Sequence, residues 1–127
     1  MSDKINVSNS GNFILIVEDN ARMRRMLKSL VADLASPVYE CSDGKDALAL
    51  YQEFHPDFVL MDISMKGLDG IAATRQIVAI DAQAQVIIVT NYDDDAIREA
   101  ARSAGARGYV LKDNLLEVRQ QVLSLSV

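Results

Sequence analysis

The chain has 127 residues, half of them hydrophobic and 24% charged, which suits one globular domain with a core of its own. Thirteen Lys and Arg against 18 Asp and Glu leave a net charge of −5, so there is no positive footprint for nucleic acid and no basic attraction to a membrane surface. The single cysteine, Cys41, excludes an internal disulfide; with no signal-peptide apolar region and no bilayer-length apolar run, the cytoplasm is the expected compartment.

Residues 1–12 are expected to form a flexible lead-in, because Asn9, Ser10, Gly11 and Asn12 offer turn chemistry and nothing to bury. Short apolar runs then alternate with helix-period segments. The run at 13–17 precedes a helix pattern carried by Met23, Met26, Leu27, Leu30, Val31 and Leu34. A weaker run at 38–41 follows Pro37 and leads to Ala47, Leu48, Tyr51 and Phe54, stopped by Pro56. The run at 58–61 leads to Leu68, Ile71, Ile77 and Val78. The run at 86–89 leads to Ile97, Ala100, Ala101 and Ala104, closed by Gly105. The run at 109–111 leads to Leu115, Val118, Val122 and Leu125. Expected N-caps are Asn20, Asp43, Asp69, Asp93 and Asp113. Short runs that do not alternate suit strands covered on both faces, and five strand–helix units in series predict an α/β parallel sheet with helices on both sides.

Ligands of such sheets sit beyond the carboxyl ends of the strands. Those ends are chemically rich here: Glu18 and Asp19 after the first run, Asp62 after the third, Thr90 after the fourth, Lys112 after the fifth. Two carboxylates about 4 Å apart repel by several kcal/mol in an effective dielectric near 20. Either a proton is retained or a cation sits among them, and hard oxygen ligands suit Mg²⁺. A carboxylate beside that ion can act as a nucleophile toward phosphorus, with Thr90 and Lys112 holding the phosphoryl oxygens. Taken singly, an Asp at a strand end is ordinarily a turn residue and a Lys near a terminal helix is ordinarily solvated. Their convergence on one predicted edge carries the reading.

The stretches Ile14-Leu15-Ile16-Val17-Glu18-Asp19, Asp57-Phe58-Val59-Leu60-Met61-Asp62-Ile63-Ser64-Met65, Gly67-Leu68-Asp69-Gly70, Val86-Ile87-Ile88-Val89-Thr90 and Gly105-Ala106-Arg107-Gly108-Tyr109-Val110-Leu111-Lys112, in this order, resemble the receiver domain of bacterial two-component response regulators. The resemblance places a receiver domain over residues 13–127. It implies a flavodoxin-like five-stranded parallel sheet of order 2-1-3-4-5 with five helices. By residue, it implies Asp62 as phosphoacceptor, Glu18, Asp19, Asp62 and the backbone carbonyl of Ser64 as Mg²⁺ ligands, Lys112 as the phosphate partner, and Thr90 with Tyr109 as the switch pair. The implied donor is a phosphohistidine on a histidine kinase or phosphotransfer protein. Output would pass to a downstream protein partner or an output domain through the face of the fourth helix, fifth strand and fifth helix, with the chain monomeric or dimerising on phosphorylation. The chain would be no enzyme beyond its own phosphorylation and dephosphorylation.

Two departures stand out. Lys66 follows Met65 where the family commonly has proline, and Asp113 follows Lys112 where many members have it. Without proline a cis bond costs about 3 kcal/mol, so the bond between Lys112 and Asp113 is expected to be trans. Lys112-Asp113 resembles receivers that carry helix-turn-helix output domains, yet a stand-alone receiver is the preferred expectation. A Mg²⁺-dependent aspartyl-phosphate phosphohydrolase is an alternative, disfavoured because Ser64 lies where those enzymes need a second acid. A phosphorylation-independent interaction module is another, disfavoured by the complete acidic set. Ser64 and Tyr92 are expected to flank the path of attacking water. His55 is read as a helix-end surface residue, Cys41 as core filling, Met23 and Met26 as packing, and Arg22, Arg24 and Arg25 as a solvated face, with a docking role for the kinase as the lesser possibility.

Overall fold

The structure, a computed structural model, describes residues 12–65 and 69–126. Of the lead-in expected over residues 1–12, residues 1–11 lie outside the described residues, as do Lys66, Gly67 and Leu68, whereas Asn12 already belongs to the first strand. The element order is β1 (Asn12–Val17), α1 (Ala21–Val31), β2 (Ala35–Cys41), α2 (Gly44–Phe54), β3 (Phe58–Met61), α3 (Gly70–Ile80), β4 (Val86–Thr90), α4 (Asp95–Ser103), β5 (Gly108–Leu111), a 3-10 turn (Lys112–Asn114) and α5 (Leu116–Leu125). The strands form one parallel sheet of order β2-β1-β3-β4-β5, the order that the family resemblance implies. None of the helices among the described residues is long and apolar enough to cross a membrane.

Successive side chains of a strand point to opposite faces, and both faces of this sheet are covered. Leu15, Val17, Val59, Met61, Val86 and Ile88 pack with Ala47 and Tyr51 of α2, Ala73 and Ile77 of α3, and Ala101 of α4. Ile14, Ile16, Phe58, Leu60, Ile87, Val89 and Val110 pack with Leu27 and Val31 of α1 and Val118 and Val122 of α5. The continuous apolar runs are therefore two interleaved half-cores. Truncating one of the fully buried residues, such as Leu60, to alanine costs about 2–5 kcal/mol.

Some sequence expectations are corrected. β2 starts at Ala35 rather than Val38 and contains Pro37, because the register slips between Asn12↔Ala35 and Ile14↔Val38. The extra residue there makes a bulge in an edge strand, where the missing N–H of proline is tolerated. Met26 is exposed, whereas Leu27 and Val31 take the core face; Met26 lies ~100° around the helix from Leu27, on the side turned away from the sheet. Asn20, Asp43 and Asp69 cap their helices, but α4 is capped by Asp94, whose side chain accepts from the Ile97 N–H. Asp93 instead pairs with Arg98. Asp113 caps nothing: it lies within the 3-10 turn, and α5 starts without a side-chain cap. The Lys112–Asp113 bond is trans.

Register places the chemistry. Val17 is level with Met61, and Met61 with Ile88, so Glu18 and Asp62 leave the sheet side by side. Thr90 is level with Leu111, so Lys112 leaves one residue beyond Thr90.

Candidate functional site

A cavity of about 400 Å³ opens at the carboxyl edge of the sheet, lined by Glu18, Asp19, Asn20, Asp62, Ser64, Thr90, Asn91, Tyr92 and Lys112. Glu18, Asp62 and Thr90 are at most 4% exposed, while Asp19 faces solvent. One carboxylate oxygen from each of Glu18, Asp19 and Asp62 lies within 4.8 Å of the other two, close enough to hold one metal ion. The Lys112 ammonium reaches in from β5, 2.9 Å from Glu18 Oε1 and 3.2 Å from Asp62 Oδ1.

Among the described residues, three acids thus face one ammonium. Burial pushes the carboxyl groups of Glu18 and Asp62 above their ordinary range, and Lys112 only partly offsets it. Asp62 repels Glu18, and Asp19 repels Asp62, in the same upward direction. Burial alone would lower Lys112, but Glu18 and Asp62 outweigh it and raise it, so the lysine remains charged. Glu18 Oε2 accepts from the Asn20 N–H at 3.1 Å. Among the described residues, Glu18 Oε1 is buried without a hydrogen bond and has only the Lys112 ion pair. An oxygen left in that condition, within reach of two further carboxylates, fits a hard divalent cation.

The backbone carries these groups rigidly. The Asp62 N–H donates to Val17 O and the Glu18 N–H to Cys41 O, extending the sheet bonding past the last strand residues. The first turn of α3 closes on the same point, with the Gly70 N–H donating to Ile63 O. A Cβ at Gly70 would stand 1.9 Å from the Asp62 carbonyl oxygen, so only glycine lets the helix approach so near. The buried Thr74 hydroxyl donates to Gly70 O and fastens that turn.

Every predicted site residue except Tyr109 lines the cavity. Tyr109 is half-buried on β5; its hydroxyl donates to Tyr92 O at 2.7 Å, and the Arg98 guanidinium lies 4.3 Å from its ring centroid. The Tyr92 N–H donates to Thr90 Oγ1 at 3.2 Å, and Ser64 Oγ donates to Tyr92 Oη at 2.8 Å. Tyr92 therefore bonds Thr90, Tyr109 and Ser64 at once. Sequence reading placed Tyr92 beside the water path but missed this junction, because two of its three bonds use backbone atoms. Arg24 was also missed: it is half-buried, while Arg22 and Arg25 are exposed as expected. His55 caps α2 in the left-handed conformation, and Cys41 packs half-buried against the core.

The sequence matches the response regulator receiver domain family over residues 14–123. The chain belongs to that family. The receiver is 39% identical to the chemotaxis protein CheY of Bacillus subtilis (strain 168), over 87% of this chain and 97% of that protein. It is 37% identical to the CheY of Thermotoga maritima, over 80% of this chain and 86% of the relative. Longer regulators match only in part: the receiver spans 26% of the regulatory protein AtoC of Escherichia coli (strain K12). Among solved structures, a two-component response regulator of the LuxR family from Aurantimonas sp. SI85-9A1 superposes with a TM-score of 0.82 at 32% identity, covering 91% of this chain and 84% of that one. CheY in the CheX-CheY-BeF3-Mg²⁺ complex from Borrelia burgdorferi gives 0.82 at 25% identity, covering 90% and 88%.

Proposed function

We propose that the receiver accepts a phosphoryl group on Asp62 with Mg²⁺ held by Glu18, Asp19, Asp62 and the backbone carbonyl of Ser64. The observation that carries this is the meeting of three carboxylate oxygens within 4.8 Å beside the Lys112 ammonium. An Asp62 carboxylate oxygen attacks phosphorus, the P–N bond of a phosphohistidine donor breaks, and the imidazole leaves with the electron pair. Mg²⁺, when bound, offsets charge on the transferred group and on the acids around it. Lys112 holds one phosphoryl oxygen as a point charge, and Thr90 donates to another.

The Thr90 hydroxyl, which now accepts from the Tyr92 N–H, donates its own hydrogen to that oxygen, and movement of the side chain toward the phosphoryl group draws it away from Tyr92. Tyr92 O in turn accepts from Tyr109, so release of one contact loosens the other and alters the α4–β5–α5 face. This face is the output surface for a downstream protein partner, with the receiver monomeric or pairing on phosphorylation. The donor is a histidine kinase or histidine phosphotransfer protein, the compartment is the cytoplasm, and the chain makes no direct nucleic-acid contact. Catalysis is confined to the receiver's own aspartate; Ser64 offers no second acid for turnover of small phosphate esters.

Incubation with acetyl phosphate and Mg²⁺ tests the proposal. The expected result is an intact-mass gain of one phosphoryl group, mapped to Asp62 and removed by hydroxylamine. Labelling at another residue, or none at all, refutes it.

A further inference from the structure

The loop carrying Glu18 and Asp19 is gripped from outside the cavity by a residue that belongs to neither the acidic set nor the switch. Arg24, one turn into α1, turns back and donates from Nη1 to the Glu18 carbonyl at 2.7 Å. Its Nε lies 3.2 Å from Glu40 Oε1 on β2, the strand beside β1. Lys28 holds the other oxygen of Glu40 at 3.1 Å and is far more exposed, 52% against 24% for Arg24. Within the loop, the Asn20 N–H donates to Glu18 Oε2, and Asn20 Oδ1 accepts from the Met23 N–H.

These contacts act on the peptide joining Glu18 to Asp19. Carboxylates crowded at one edge repel, and the softest way to separate them is rotation of the peptide that carries two of them. Arg24 holds the oxygen of that peptide, and Glu40 holds Arg24 against the sheet. An arginine can meet two acceptors along two edges of one rigid plane, so the grip fixes direction as well as distance. We infer that Arg24, braced by Glu40, is a positioning residue that sets the Glu18–Asp19 pair for divalent cation binding. The inference rests on the metal reading of the site given above.

Charge and geometry predict opposite signs, which makes the inference testable. By Coulomb's law alone, removing a cation near the acidic edge tightens Mg²⁺ binding. If Arg24 acts by positioning, its removal weakens binding. Isothermal titration of the full chain with Mg²⁺, alongside circular dichroism and thermal melting, separates the two. Arg24→Ala is expected to weaken Mg²⁺ binding by about tenfold or more, the usual effect of losing an outer support of a metal ligand. Arg24→Lys is expected to recover only part of it, since one ammonium lacks the two-edged fork. Lys28→Ala, which also bares Glu40, is expected to keep wild-type affinity or tighten slightly. Asp19→Ala is the ligand control, expected to lose binding outright.

A folded Arg24→Ala protein with unchanged or tighter Mg²⁺ binding overturns the inference while the metal reading survives. Equal weakening by Lys28→Ala overturns it too, because the effect would then belong to Glu40 or to general charge. Should Arg24→Ala fail to fold, Arg24→Lys and Glu40→Gln decide: wild-type affinity in both overturns the inference, and a graded loss supports it. Wild-type protein that binds no Mg²⁺, or Asp19→Ala protein that binds it normally, removes the metal reading and the inference together.

Discussion

The two edges of the sheet handle polar groups in opposite ways. At the amino edge, polar groups among the described residues find partners within the fold. Asp57 accepts from the Phe13 N–H, Gln85 donates to Asp57 O, Tyr51 donates to Asp81, and Arg107 donates to Ala82 O. Phe13, Tyr39 and Phe54 fill the space beside them, with Tyr39 stacked on Phe54 at 4.5 Å between ring centroids. At the carboxyl edge, among the described residues, three acids share one lysine, and a buried oxygen of Glu18 goes without a hydrogen bond. One edge is satisfied by the fold itself. The other gathers more negative charge than its described neighbours offset, the setting in which a bound cation would be stabilising.

The sharpest way to break that contrast is Asp62→Asn. It is expected to abolish hydroxylamine-sensitive phosphorylation by acetyl phosphate while preserving the fold, as intact mass and circular dichroism would register. Removing the ammonium comes next. Lys112→Ala leaves Glu18 and Asp62 buried without their cation, expected to cost about 3 kcal/mol in denaturant melts without metal, with much of the loss recovered in Mg²⁺. It is also expected to uncouple phosphorylation from changes at Tyr109, read from tyrosine NMR signals. A similar amount should appear from ligand binding alone: Mg²⁺ at one hundred times its Kd stabilises by about 2.7 kcal/mol, a rise in Tm of roughly 10 °C.

Acid titration sharpens the comparison further. Because burial raises the folded-state pKa of Glu18 and Asp62, the native protein holds more protons than the unfolded chain between the ordinary carboxylate range and the raised values. Without metal, these groups therefore lower stability as pH rises through that window. Asp62→Asn removes one such group, so its stability relative to wild type should grow with pH and vanish at acid pH. Equal pH profiles of the two proteins would contradict the raised pKa of Asp62. The smallest effect belongs to the amino edge. Tyr51→Phe loses one hydrogen bond to Asp81, expected to cost about 1 kcal/mol in denaturant melts and leave phosphorylation untouched.

Much of this protein was legible in its residue order. Apolar runs at 13–17, 58–61 and 86–89 carry no polar interruption, so a parallel sheet covered on both faces follows from burial alone. The strand-ending residues Glu18, Asp62, Thr90 and Lys112 needed only that sheet to bring them together. Local choices among equivalent residues were less legible. Three consecutive aspartates each make a competent cap, and which one serves depends on where β4 releases the chain; Asp94 does. Pro37 argues against a strand until the bulge at an edge admits it.

By itself the sequence determined the period of burial, the order of elements and the list of groups at the carboxyl edge, because these follow from side-chain chemistry and spacing along one chain. Tertiary structure alone decided which backbone atoms those groups meet. The Arg24 grip on Glu18 O and the Tyr92 links to Thr90 and Tyr109 pass through peptide carbonyls and N–H groups. Every residue carries the same peptide, so no residue name announces such a bond, and only the packed fold selects its partners.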